Sequence, residues 1–109
     1  MLIGQFISAS RKKAGLSQKD LAARIKKEDG VPISPPYLND IERDRRNAPA
    51  PHLLRQFASV LNISYEYLIF LAGGLPEDVR EGTPSPEAVE AAFQAFRTAL
   101  KEDKGPDHP

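Results

Sequence analysis

Residues 34–46 read Ser-Pro-Pro-Tyr-Leu-Asn-Asp-Ile-Glu-Arg-Asp-Arg-Arg, with Arg43, Arg45 and Arg46 gathered at the far end. Arginines clustered at and beyond the C-terminal end of a short helix suit the helix dipole and can be pressed against a phosphate backbone. The other reading of such a run is a solvated charged face. Enzymatic chemistry has little to work with. There is no cysteine, and His52 and His108 are far apart in the chain. No glycine-rich phosphate loop follows a strand, and Glu28-Asp29 reads as a polar helix end rather than a metal site. The sequence thus carries no catalytic, metal or cofactor signature.

The arginines need a helix, and its start is well marked. Ser34 is a good N-cap, and Pro35 suits the first helical position, where a missing N–H costs nothing. Leu38 and Ile41 share a buried face, while Asn39, Asp40 and Arg43 point elsewhere. Before it, residues 3–14 read as a first helix with Ile3 and Ile7 four apart, ended by Gly15 as a left-handed residue. Ser17 caps a second helix whose inner face is Leu21, Ala22 and Ile25. The polar run at residues 26–30 is expected to extend that helix and then stop it. Pro32 holds Val31 extended on the way to the third helix.

After the third helix, residues 47–49 form a loop and Pro51 opens a fourth helix. Leu54, Phe57, Ala58 and Leu61 fall at i, i+3, i+4 and i+7, an amphipathic stripe. Ser64 caps a fifth helix over residues 65–72, ended by Gly73-Gly74. Its run of six apolar residues, Tyr67 to Ala72, exceeds what one buried face requires. Leu68 and Leu71 suffice for the core, so Ile69 and Phe70 are expected to face a partner or the tail. No alternating strand pattern occurs.

The chain has 109 residues and a formal net charge of zero. Residues 1–75 hold 11 basic and 7 acidic side chains, a net +4, and the remainder holds 4 basic and 8 acidic, a net −4. A basic body with an acidic tail is compatible with nucleic-acid binding. The absence of cysteine, of an apolar run of ~18 residues and of a signal-like start is what a cytoplasmic protein shows, with no membrane span. Residues 75–84 are rich in Pro, Gly, Glu and Asp and read as a linker. Ser85-Pro86-Glu87 opens a sixth helix over residues 85–103. Its apolar stripe of Val89, Ala92, Phe93, Phe96 and Leu100 must be buried somewhere, by pairing with a second subunit or by capping its own domain. Residues 104–109 are expected to be disordered.

The ordered set Arg11, Gly15-Leu16-Ser17-Gln18, Leu21-Ala22, Ile25, Ser34, Tyr37-Leu38, Ile41-Glu42-Arg43 and Arg45-Arg46 resembles the Cro/phage-repressor class of helix-turn-helix proteins, the xenobiotic-response-element (XRE) family. The resemblance covers residues 3–72. It implies an all-α fold: a five-helix repressor-like DNA-binding domain over residues 1–74, containing a helix-turn-helix, with the C-terminal amphipathic helix outside it.

It also implies roles. The third helix would enter the major groove of double-stranded DNA, N-terminal end toward the bases. Pro35, Pro36, Asn39 and Asp40 would face base edges. Asn39 could hydrogen-bond an adenine edge or a phosphate, and Asp40 could accept from cytosine N4. The prolines could touch a thymine methyl, or simply start the helix. Ser17, Gln18, Tyr37, Arg43, Arg45 and Arg46 would lie on the phosphate side. Arg11 and Glu42 would form a structural ion pair that fixes the third helix.

Two departures stand out. The connection between the second and third helices is five or six residues longer than the family's tight turn, which would let Lys26 and Lys27 reach phosphate. Asp44 stands where the family usually has glycine; Asp tolerates the left-handed conformation better than most residues. A homodimer is expected, with Ile69, Phe70, Val89, Phe93, Phe96 and Leu100 as dimer or tail interface. Two functions follow: a dimeric repressor on a palindromic operator, or a DNA-binding antitoxin whose acidic tail masks a basic toxin or other protein effector.

Overall fold

The structure is a computed structural model, and it describes residues 1–103. The expectation for residues 104–109, and His108 with it, lies outside the described residues. Among the described residues there are seven helices and no strand. They are α1 (Ile3–Lys13), α2 (Gln18–Arg24), α3 (Pro35–Glu42), α4 (Pro51–Leu61), α5 (Tyr65–Leu71), α6 (Glu77–Arg80) and α7 (Pro86–Glu102). Met1–Val79 forms one compact unit and Arg80–Pro109 another.

In the first unit α1 packs on α3 and α4, α2 on α3, and α4 on α5. The core they enclose holds Ile7, Leu21, Ile25, Leu38, Leu54, Phe57 and Leu68, each essentially inaccessible to solvent. The stripe Leu54, Phe57, Ala58 and Leu61 is buried along its whole length.

The ends of these helices follow from their sequence. Ser17, Ser34, Ser64 and Ser85 each accept a hydrogen bond through Oγ from the backbone N–H three residues on, which satisfies one of the orphan donors of a first turn. At the end of α1, Gly15 takes φ +75°. Its N–H donates to Lys12 O while Leu16 N–H donates to Arg11 O, the paired bonding of a Schellman ending. The end of α3 repeats this with Asp44 at φ +56°, Asp44 N–H donating to Ile41 O and Arg45 N–H to Asp40 O.

Asp44 does more than tolerate its conformation. Its Oδ1 accepts from Gly4 N–H at 2.8 Å, so it serves as a remote acceptor for the first turn of α1, where Leu2 has no side-chain acceptor to offer. Gly4 is there for a steric reason: a Cβ at that position would run into the Ile41 carbonyl oxygen and the Asp44 carboxylate.

Three local expectations are corrected. α2 does not extend through residues 26–30 but stops at Arg24, with Ile25 extended at φ −107°, ψ 118°. Lys26 and Pro32 instead form an antiparallel bridge. Ile33 N–H donates to Ile25 O and Lys27 N–H to Val31 O, both at 2.9 Å. The turn chemistry wins over helix propensity here. Gly30 adopts φ +82°, Asp29 Oδ1 accepts from Val31 N–H, and burial of both Ile25 and Ile33 closes the base of the loop.

The segment read as a linker includes the helical turn α6, whose Glu77 makes an exposed ion pair with Arg55 at 2.7 Å. Finally, Ile69 is 5% exposed and belongs to the core, whereas Phe70 is 50% exposed. Leu71, expected in the core, is only half-buried. In the short α5 the consecutive residues Leu68 and Ile69 are both buried in the core cluster, so Ile69 does not share the exposed face on which Phe70 lies.

In the second unit, α7 is a 17-residue helix with no buried residue. No helix among the described residues is long and apolar enough to cross a membrane.

Candidate nucleic-acid interface

Three helices meet at one carboxylate. Glu42, buried on the inner side of α3, accepts from Arg11 Nε at 2.7 Å through Oε2 and from Arg11 Nη2 at 3.0 Å through Oε1. The third arginine nitrogen, Nη1, donates to Leu16 O at 2.8 Å. The guanidinium thus holds α3 against α1 and the entry to α2 with fixed, planar geometry. Burial pushes the Glu42 carboxyl up. The Arg11 and Gln18 hydrogen bonds and the Arg11 charge outweigh it and hold the group below its ordinary value.

Gln18 carries the network outward. Its Nε2 donates to Glu42 Oε1 at 3.0 Å and to Asn39 Oδ1 at 3.1 Å. Arg43 Nε donates to the same Asn39 oxygen at 3.3 Å. The Asn39 carbonyl oxygen is therefore occupied twice, and its Nδ2 is left as the group to present outward. Such a side chain can donate to a phosphate oxygen or to a base acceptor such as adenine N7, but a bidentate grip on adenine needs the oxygen as well.

Asp40 lies on the outer face of α3, between two arginines: Arg45 Nη1 at 3.7 Å and Arg46 Nε at 3.5 Å. Arg46 also lies over the Tyr37 ring, 4.9 Å from its centroid, an arrangement that favours a cation. The sequence suggested a free acceptor at Asp40; here its carboxylate orients two guanidinium groups. Those pairs are solvent-exposed and loosely made, so they hold the arginines weakly.

Pro35 and Pro36 open α3 and are both exposed. Together with Asn39, Asp40 and Arg43 they form the outward stripe of the helix, opposite Leu38, Ile41 and Glu42. Ser17 is exposed with its Oγ engaged as a cap. Lys26 and Lys27 are exposed on the bridged loop between α2 and α3.

That loop is held by a residue that sequence reasoning passed over. Gln56 of α4 accepts from Lys26 N–H at 2.6 Å and donates to Lys26 O at 2.7 Å. Nothing in the sequence marks Gln56, because its role depends on which loop comes to rest beside α4. Gly4 did leave a signal: a glycine inside a helix pattern often marks close approach of another backbone.

Of the interface residues expected on α5 and the tail, Phe70, Val89, Phe93, Phe96 and Leu100 are exposed. Phe70 stacks with Tyr67 at 6.2 Å between centroids, and Tyr67 meets Phe6 edge-on at 4.9 Å.

Comparison with known proteins identifies the family. A helix-turn-helix family model matches residues 7–68. An uncharacterised HTH-type transcriptional regulator of Bacillus subtilis (strain 168), RghRB, is 30% identical over 79 residues, 70% of this chain and 53% of the relative. The chain therefore spans about half the length of that relative. Among solved structures, SinR, described as a master regulator for biofilm formation and crystallised in complex with DNA, is 34% identical with a TM-score of 0.52; the match covers 62% of this chain and 98% of that one. A complex of the SinR and SinI proteins gives 28% identity and a TM-score of 0.51, over 89% of this chain and 81% of that one. The chain belongs to the Cro/C1-type (XRE) helix-turn-helix family of DNA-binding transcriptional regulators.

Proposed function

We propose that this protein is a dimeric repressor that occupies a palindromic operator by placing α3 in the major groove. The observation that carries the reading is the two-sided character of α3. Its inner side is locked through Glu42 to Arg11 and Gln18, and its outer side presents Pro36, Asn39, Asp40 and Arg43 at groove-reading spacing. A locked helix loses little freedom on binding, so its contacts go into affinity and register. Asn39 reads a base acceptor or a phosphate through Nδ2. Arg43, Arg45 and Arg46 neutralise phosphates, and Asp40 keeps the last two pointed outward until DNA displaces it. Ser17, Gln18 and Tyr37 line the phosphate side, and Lys26 and Lys27 extend the contact from the bridged loop.

Selection of bound duplexes from a random pool tests this. The expected product is an inverted repeat with half-sites about one helical turn apart, ~34 Å. Enrichment of a lone half-site would rule out the dimeric reading, and no enrichment at all would rule out sequence-specific binding.

The likeness to SinR in complex with SinI supports a second reading, in which a protein partner controls DNA occupancy. A small basic toxin encoded beside this chain would specify that partner and make the protein an antitoxin.

A further inference from the structure

One carboxylate on the outer face of α3 gathers the groups around it. Tyr37 and Asp40 are three apart on the helix and so share a face. The left-handed turn at Asp44, φ +56°, sends the chain back toward that face, and Arg45 N–H donates to Asp40 O at 3.0 Å. The side chains follow the backbone. Arg45 Nη1 stands 3.7 Å from Asp40 Oδ1, and Arg46 Nε stands 3.5 Å from Oδ2. Arg46 also lies 4.9 Å from the centroid of the Tyr37 ring. The two arginines that reach for phosphate are therefore already engaged by an anion of the chain's own.

We infer that Asp40 is a specificity-determining residue: it occupies Arg45 and Arg46 as a phosphate would, and releases them only where a base amino group takes their place. The inference rests on the reading of α3 as the major-groove helix, and adds what makes one duplex better than another. An ionised carboxylate can only accept hydrogen bonds. When phosphates draw both arginines away, Asp40 is left facing base edges, and an unpaired carboxylate taken out of water is costly. Guanine N7 and O6 and thymine O4 are acceptors and give it nothing, whereas cytosine N4 and adenine N6 carry the donor it needs.

On most sequences the protein must choose. Either Asp40 keeps its arginines and phosphate contacts are lost, or the phosphates are gripped and the carboxylate is stranded. A duplex with an amino group opposite Asp40 removes the conflict, because both partners of the broken pairs find new ones. Sequence reading and phosphate grip are thus coupled through one side chain, which acts chiefly by penalising the wrong duplex. An exposed ion pair elsewhere on the surface would have no such consequence; this one matters because its natural competitor is DNA.

The test compares a random-sequence duplex with the duplex enriched in the selection described above, using the full chain. Two arginine–carboxylate pairs of the exposed kind amount to a severalfold effect, so Asp40→Asn should bind the random duplex about fivefold more tightly. Its affinity for the enriched duplex should not rise, because there the parent has already released the arginines. The same Asp40→Asn change is then made in an Arg45→Gln/Arg46→Gln background; both arginines are replaced because either one alone can hold the carboxylate. There the gain on random DNA should vanish, which is the coupling expected of residues that act on one another. A gain that persists without the arginines would show that Asp40 merely repels phosphate and would overturn the exchange. So would an equal gain on both duplexes, or no gain on random DNA. These failures leave the major-groove reading intact as long as the parent prefers the enriched duplex; a parent with no preference overturns both.

Discussion

Glu42 is the residue on which α1, α2 and α3 converge, and its removal is the sharpest test of the arrangement. Replacing Glu42 with alanine leaves the buried Arg11 charge unpaired and should cost about 3 kcal/mol in denaturant unfolding. The pH dependence has a definite sign. The folded-state value of Glu42 lies below the ordinary 4.5, so its stabilisation is fully present above about 4.5 and is lost as pH falls through the lower folded value. The stability gap between the parent and Glu42→Gln should therefore be widest near neutrality and shrink with acid; a constant gap would show that the carboxylate charge is not what matters.

Gly4 and Asp44 form a second residue-scale unit. Gly4→Ala forces a methyl group against the Ile41 carbonyl and should destabilise by about 1–3 kcal/mol. Asp44→Ala loses the acceptor for Gly4 N–H yet keeps the positive φ. Asp44→Gly loses the same acceptor but relieves the backbone. Thermal unfolding should thus rank alanine as the worse substitution, even though glycine removes more atoms.

At the scale of elements, α3 and the bridged loop are separate devices. Alanine at Arg45 or Arg46 should flatten the salt dependence of DNA affinity by about one unit per lost phosphate contact, with little change in sequence preference. Asn39→Ala should instead lower specific affinity more than affinity for random DNA. If the two fall equally, Asn39 contacts only phosphate. The loop depends on Gln56. Gln56→Ala removes both bonds to Lys26 and should speed exchange of the Lys27 and Ile33 amides while leaving the α3 amides protected. Slower DNA dissociation in the parent than in this variant would show that the rigid loop contributes Lys26 and Lys27 to binding.

For the whole molecule, the division into two compact units can be tested by truncation. Truncation after Gly82 removes α7 and should leave the Met1–Val79 unit folded, since its core draws on α1 to α5. If α7 carries the dimer, the truncated protein should bind a single half-site with undiminished affinity and lose the added affinity for the inverted repeat. Equal affinity for the full repeat would place the dimer contact on the first unit, where the exposed Tyr67 and Phe70 adjoin the partly buried Phe6.

Local patterns were enough to establish much of this. Serine caps, proline starts and the stripe of Leu54, Phe57, Ala58 and Leu61 specify helices because each acts within a few residues of itself, whereas the pairing of Arg11 with Glu42, 31 residues apart, was legible only through the resemblance to the helix-turn-helix family. Tertiary structure decided what depends on distant neighbours. Lys26–Pro32 closes into a bridge because Gln56 and the buried pair Ile25 and Ile33 reward that shape over another helical turn. Ile69 is in the core because the rotation of a two-turn helix is set by what it packs on, and a run of six apolar residues leaves that rotation open. Asp40 holds arginines, and Asn39 offers only its nitrogen, because hydrogen-bond partners are assigned in space among groups that compete for the same atoms.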